Sequence, residues 1–291
     1  MQFGMMEIVY GGVAMKKVGS FARGFAMLGA ALTLAWGLTA CGGAPASGGS
    51  EGAGGEISTL TVGFDQAYPP YGYVGDDGEF TGFDLELAAE VARRNGWELA
   101  LEPIDWDARD SLLDSGAITC IWNGFTIEGR EKDYAFSDPY MLNGQVVVVR
   151  ADSGIGCPDD LAGKTVITQV DSAAWEVLQG ERADLASTFA SLETIGEYNT
   201  AFMQLESGAV DAVACDLSIA RYQLAGNAGK YVMLDDMLST ESYGVGFKKG
   251  DEALAAKVTE TLRAMDGDGF VEDLCAKYAD LGISYENWQI K

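Results

Sequence analysis

The 291-residue chain contains no histidine. That absence excludes Ser-His-Asp and Cys-His catalysis and every metal site that needs an imidazole. Any catalysis would rest on carboxylates, Lys, Tyr, Cys or a metal held without His. Positive charge is also scarce: 19 Lys and Arg stand against 44 Asp and Glu, for a formal charge of −25. Such a balance disfavours nucleic acid as a partner, because phosphate binding needs clustered positive charge. Cysteines number only five. What is present is an ordinary globular composition, 48% apolar and 22% charged, in a length that suits one large domain or two smaller ones.

Lys16, Lys17 and Arg23 precede the apolar run Phe25–Trp36. The run is too short to span a bilayer comfortably but suits the core of an export signal. The alternative is a buried helix of a cytosolic protein; basic flank, apolar run and small residues in that order favour the signal. The run ends in Leu38-Thr39-Ala40-Cys41, which resembles a bacterial lipobox and implies a lipidated Cys41 as the first mature residue. Residues 1–40 are therefore read as the signal, with the true start at Met15 as an option. Residues 41–56, rich in Gly, Ala and Ser, read as a flexible tether. Residues 41–291 carry 16 basic and 43 acidic side chains, so this body should stand off an anionic membrane rather than lie on it.

From residue 57 strands and helices alternate. Strands are predicted at 57–64, 97–102, 118–121, 145–150, 164–168, 210–214, 231–234 and 243–247. Helices are predicted at 83–95, 107–114, 175–179, 199–206, 217–224, 252–265 and 270–279. In 83–95 the apolar residues Phe83, Leu87, Ala88, Val91 and Ala92 fall on one helical face. The rhythm predicts an α/β protein with mainly parallel sheets and a ligand beyond the C-terminal strand ends.

Gly78-Glu79-Phe80-Thr81-Gly82-Phe83-Asp84-Leu85-Glu86-Leu87-Ala88 resembles the signature of family 3 bacterial extracellular solute-binding proteins, the amino-acid receptors of ABC importers. Further matches keep chain order: Asp65–Tyr71, Ile121–Thr126, Arg130, Phe136–Tyr140, Asp160–Lys164, Gly208–Ala212, Tyr243–Val245, Asp268–Phe270 and Lys277-Tyr278. The resemblance runs from about Ile57 to Trp288. It implies a two-lobed periplasmic-binding-protein fold, type II-like, with two hinge strands and the ligand in the cleft between lobes. Lobe one is expected at 57–146 and 245–291, lobe two at 147–244, with crossings near Val146–Arg150 and Tyr243–Phe247.

The same resemblance implies a site for a free amino acid. Arg130 matches the carboxylate-binding arginine, whose planar fork makes paired bonds that Lys cannot; without the match it reads as a surface residue. Asp216 matches the ammonium-binding carboxylate, or else caps the helix that follows it. Asn123, Gly124 and Thr126 surround the same head group. Ser172 and Ala173 open a helix whose free N–H groups suit a carboxylate; the other reading of Ser172 is a simple cap. Tyr68 and Trp106 match aromatic walls, with core packing as the alternative. Asp65 is expected to read the far end of the ligand side chain, favouring a polar or basic amino acid, with Gln169 as its neutral counterpart. The sequence departs from the family where Thr126–Arg130 is one residue short and lacks a second Thr, and where Cys215, able to line the pocket, precedes Asp216.

The expected function is thus a receptor anchored through Cys41 at the extracytoplasmic face of the cell membrane, delivering an amino acid to an ABC permease and its ATPase. No cofactor, metal, catalysis or nucleic-acid partner is expected, and a monomer is. Asp266-Gly267-Asp268 mimics the start of a calcium loop but lacks its later ligands, so it reads as a turn. The alternatives are a dehydratase-like enzyme on the same fold or a sensing module for a membrane partner. Cys120, Cys157, Cys215 and Cys275 either stay free or pair within lobes as Cys120–Cys275 and Cys157–Cys215.

Overall fold

The computed structural model describes residues 57–291; the expected signal, lipobox and tether lie outside them. Strand β1 (Thr59–Phe64) is followed by a small antiparallel sheet of β2 (Ala67–Tyr68), β3 (Gly72–Val74) and β4 (Phe80–Thr81), a feature absent from the sequence-based prediction. Helix α1 occupies Phe83–Asn95, the predicted span. Its buried face contains the predicted stripe and adds Asp84 and Leu85. Asp84 and Glu86 sit in its first turn and Arg93 and Arg94 in its last, matching the helix dipole. Gly82 before it is obligatory: at φ 142° an added Cβ would lie 2.1 Å from the Tyr71 carbonyl oxygen.

The chain continues through β5 (Glu98–Pro103), α2 (Arg109–Ser115), β6 (Cys120–Thr126), β7 (Tyr134–Phe136) and β8 (Met141–Arg150). Then come β9 (Thr165–Gln169), α3 (Ala173–Gln179), α4 (Ala183–Ala186), β10 (Ser191–Ile195), α5 (Tyr198–Ser207) and β11 (Ala212–Asp216). Helix α6 (Leu217–Gly226), β12 (Tyr231–Met233), β13 (Ser239–Lys248), α7 (Glu252–Gly267) and α8 (Phe270–Lys277) complete the chain.

One sheet runs in the order β10-β9-β11-β8-β13-β6-β1-β5. It is mixed rather than mainly parallel. The flanks are parallel (β10 with β9, β9 with β11, β6 with β1, β1 with β5), whereas the centre is antiparallel. The reason lies in β8 and β13, which run against their neighbours. They pair with each other through 141–145 and 239–243. Beyond that, β8 pairs with β11 and β12, and β13 with β6 and β7. The predicted crossings, Val146–Arg150 and Tyr243–Phe247, lie on these same strands beside the mutually paired stretch.

Both faces of β8 are covered. Val146 and Val148 join a large core with β1, α1 and α5; Val147 and Val149 join a second one with Leu161, Val166 and Leu178. That two-sided burial explains its unbroken run of valines. All four described cysteines are unpaired, Cys157 alone being partly exposed, so neither conditional disulfide is formed. Asp266, in the last turn of α7, accepts from the Tyr285 hydroxyl, and Asp268, in the turn between α7 and α8, pairs with Arg94.

Candidate functional site

Strands β1 and β6 run parallel and end at Phe64 and Thr126; β9 and β11 run parallel and end at Gln169 and Asp216. Their C-terminal ends face a cleft of about 280 Å³ lined by Tyr68, Trp106, Asn123, Gly124, Thr126, Arg130, Gln169, Ser172, Ala173 and Asp216. Ten of the eleven expected ligand-binding residues thus share one wall. The eleventh, Asp65, is buried just behind it: Oδ1 accepts from Ala67 N at 2.8 Å and Oδ2 from Gln169 Nε2 at 2.7 Å. Burial raises its pKa against those two hydrogen bonds. Asp65 reaches the cavity through the amide it orients.

A bulge shapes the wall. Pairing of β6 with β13 runs from Tyr243↔Thr126 to Gly244↔Phe125 and resumes at Gly246↔Ile121. Trp122, Asn123 and Gly124 therefore face Val245 alone, a bulge of the kind that bends its strand. Gly124 adopts φ 58°, and a Cβ there would sit 3.0–3.1 Å from the Tyr243 and Tyr68 rings. Its N–H donates to Asp84 Oδ2 at 2.6 Å, the same oxygen that accepts from the Tyr140 hydroxyl at 2.7 Å. Asn123 Oδ1 accepts from the Asp65 N–H.

Arg130 is buried, not a surface residue, despite the shortened spacing from Thr126. Its guanidinium lies 4.9 Å from the Phe125 ring centroid. Nη2 and Nε donate to Glu176 Oε1 at 2.9 and 3.3 Å, Nη1 to the Thr126 carbonyl and Nη2 to the Asp171 carbonyl, both at 3.3 Å. Asp216 occupies the first-residue boundary of α6, yet its side chain makes no capping bond. Instead Oδ1 accepts from Tyr243 OH and Gln145 Nε2, each at 2.8 Å, and Asn143 Nδ2 at 3.1 Å. Ser172 does cap α3, accepting from Trp175 N at 3.1 Å. Trp106 serves two surfaces: it lines the cleft and packs edge-on against Phe125, ring centroids 5.7 Å apart. Cys215 is fully buried in the core and is not on the wall.

Three sets of groups around the site escaped the sequence reading. Glu176 and Asp171 hold Arg130. Asn143, Gln145 and Glu241, from β8 and β13, surround Asp216. Asp84, which the reading used only as part of a signature, fixes Gly124. The available signal was polarity inside buried strands: Asn143 and Gln145, and Glu241 and Tyr243, are two apart and share a face. Burial pushes Asp84 up to about 7; burial and the neighbouring Asp216 push Glu241 up to about 8.

A mixed α/β body with a polar cleft at opposed strand ends, joined by two long strands, defines the two-lobed class of periplasmic amino-acid-binding proteins. The family of bacterial extracellular solute-binding proteins, family 3, matches residues 60–280, and the chain belongs to it. It is 32% identical over 226 residues to the L-cystine-binding protein TcyJ of Escherichia coli (strain K12), covering 77% of this chain and 83% of that one. An ABC uptake transporter substrate binding protein from Streptococcus pneumoniae, solved with bound histidine, is 30% identical with a TM-score of 0.75, over 78% of this chain and 95% of that one. An ancestral amino acid-binding protein, a precursor of cyclohexadienyl dehydratase, is 30% identical with a TM-score of 0.69, over 76% and 95%. Among the described residues no helix is long and apolar enough to cross a membrane.

Proposed function

We propose that the protein is an extracytoplasmic receptor that binds a free amino acid, polar or basic, and delivers it to an ABC import permease and its ATPase. The observation that carries this reading is one cleft lined by both a buried guanidinium, Arg130, and a carboxylate, Asp216. That pair complements the two charges of a zwitterion. The α-carboxylate goes to Arg130 and the N-terminal end of α3 at Ser172 and Ala173. The ammonium goes to Asp216. Asn123, Gly124 and Thr126 complete the head-group contacts, while Tyr68 and Trp106 flank the side chain. Gln169, held by Asp65, meets its far end; an amide there accepts polar and basic ends alike. Lobe one is 57–146 with 245–291 and lobe two is 147–244, closing on the ligand as a monomer.

A dehydratase-like reading draws support from the ancestral neighbour. It needs an acid–base pair on the cavity wall, and the two carboxyls with strongly raised pKa, Asp84 and Glu241, are not among the lining residues.

Thermal shift of the full-length chain against the twenty amino acids and L-cystine tests the receptor reading. A binder at 100 times its Kd adds about 2.7 kcal/mol, and Arg130→Lys should weaken it at least tenfold, about 1.4 kcal/mol. No shift with any of them, or full affinity in the variant, contradicts the assignment. Anchoring through Cys41 is tested separately: Cys41→Ala should leave the membrane fraction, and retention there would refute the lipid.

A further inference from the structure

Behind Asp216 lies a second carboxyl group that the amino-acid reading does not use. Asn143 Nδ2 donates to Asp216 Oδ1 at 3.1 Å and to Glu241 Oε1 at 2.7 Å. Gln145 Nε2 donates to the same two oxygens at 2.8 and 2.7 Å. The two carboxyl groups therefore share both amide donors, and all four side chains are buried. They sit at the junction of β8, β11 and β13, where Glu241 pairs with Asn143 and Asp216 with Gln145. Asp216 lines the cleft; Glu241 does not.

Two carboxylates this close in a buried site do not both ionise without a compensating cation. The groups facing them supply none. From β8 come the neutral amides of Asn143 and Gln145, and from β6 the Thr126 hydroxyl. From β11 comes the Cys215 thiol, from β13 and β2 the Tyr243 and Tyr68 hydroxyls, from α5 Tyr198 and from the loop after β2 Tyr71. Burial raises the pKa of every one of these phenols and of the thiol, so they stay protonated. Arg130, elsewhere on the cleft wall, is paired with Glu176.

We infer that Asp216 and Glu241 form one proton-holding pair, and that an amino-acid ammonium entering the cleft beside Asp216 drives the proton off Glu241 into solvent. The inference rests on the receptor reading above. Charge balances: the pair carries one negative charge with its proton, and two negative charges with the ammonium in its place. The hydrogen bonds already present suit both states, since each amide keeps donating to both oxygens. Glu241 touches no ligand; it is a positioning residue that sets the charge Asp216 presents. The pKa of about 8 on Glu241 agrees with a proton held there at neutral pH.

The test is calorimetry of the full-length chain with L-glutamine, L-arginine and L-cystine, in two buffers of different ionisation enthalpy at pH 7. A binding probe should release roughly 0.5–1 proton. Its affinity should strengthen between pH 6 and 8 by up to about tenfold per unit. Glu241→Gln should abolish both the proton release and the pH slope. If that variant does not fold, the buffer dependence and pH slope of the unsubstituted protein decide. Binding with no proton release, or release that persists in Glu241→Gln, overturns the inference and leaves the receptor reading intact. Should none of the three bind, the same titrations are run with whichever amino acid shifts the melting transition, and absence of a shift by all twenty and L-cystine overturns both.

Discussion

Asp84 shows how one side chain outside the cleft sets the geometry of the binding wall from behind. Oδ2 holds the Gly124 N–H and the Tyr140 hydroxyl, while Oδ1 is buried without a partner. The Trp122 indole acts on the same carboxyl, but Nε1 makes no hydrogen bond of ordinary geometry. Burial outweighs these donors and raises the pKa to about 7. A carboxyl whose folded pKa is raised binds its proton more tightly in the native state. Its stabilising contribution is complete below the unfolded value near 4 and is lost as pH rises through 7. Asp84→Asn keeps an oxygen for Gly124 and Tyr140 and removes the titration. Denaturant unfolding at pH 4.5 and 7.5 should show the unsubstituted protein losing about 1–4 kcal/mol relative to the variant. A difference that does not change with pH would mean that Asp84 is ionised throughout.

At the level of elements, what was legible in the sequence was what depends on local period. Helix α1 falls on its predicted residues because its apolar stripe and the Gly96 stop, at φ 70°, are both local. The sequence shows strand β8 only from Gln145, because Met141-Leu142-Asn143-Gly144 has no β-branched residue and owes its extension to pairing with β13. Strands β2, β3 and β4 are only two or three residues long, too short to show a period, and β10 finds its partner β9 26 residues earlier in the chain. The cleft residues were legible through family motifs, and they follow one physical rule: they sit at, or in the segments just beyond, the C-terminal ends of parallel strands. The supports were not legible. Glu176 lies 46 residues from Arg130, and Glu241 lies 98 from Asn143. No spacing rule links such pairs; only the sheet order does.

For the molecule as a whole, the proposed lobes are joined by β8 and β13 and by side-chain bonds across the cleft. Asp65 meets Gln169, and Arg130 meets both Glu176 and the Asp171 carbonyl. The Arg130–Glu176 pair matters most for binding, because Glu176 takes Nε and Nη2, donors that a ligand carboxylate would also use. Glu176 is 43% exposed at its side chain, against 6% for Arg130. A pair so open to water contributes only about 0.2–1 kcal/mol, less than a buried, bidentate contact with a ligand. Glu176 therefore acts as a weak competitor that holds the cleft together and gives way to a carboxylate. Glu176→Gln should strengthen amino-acid binding about two- to fivefold in low salt, by up to roughly 1 kcal/mol. The gain should shrink in 0.5 M salt, roughly, as screening weakens the pair in the parent protein. Titration calorimetry at both salt concentrations measures it. Weaker binding by the variant at both would show that Glu176 steers Arg130 toward the ligand instead of competing for it.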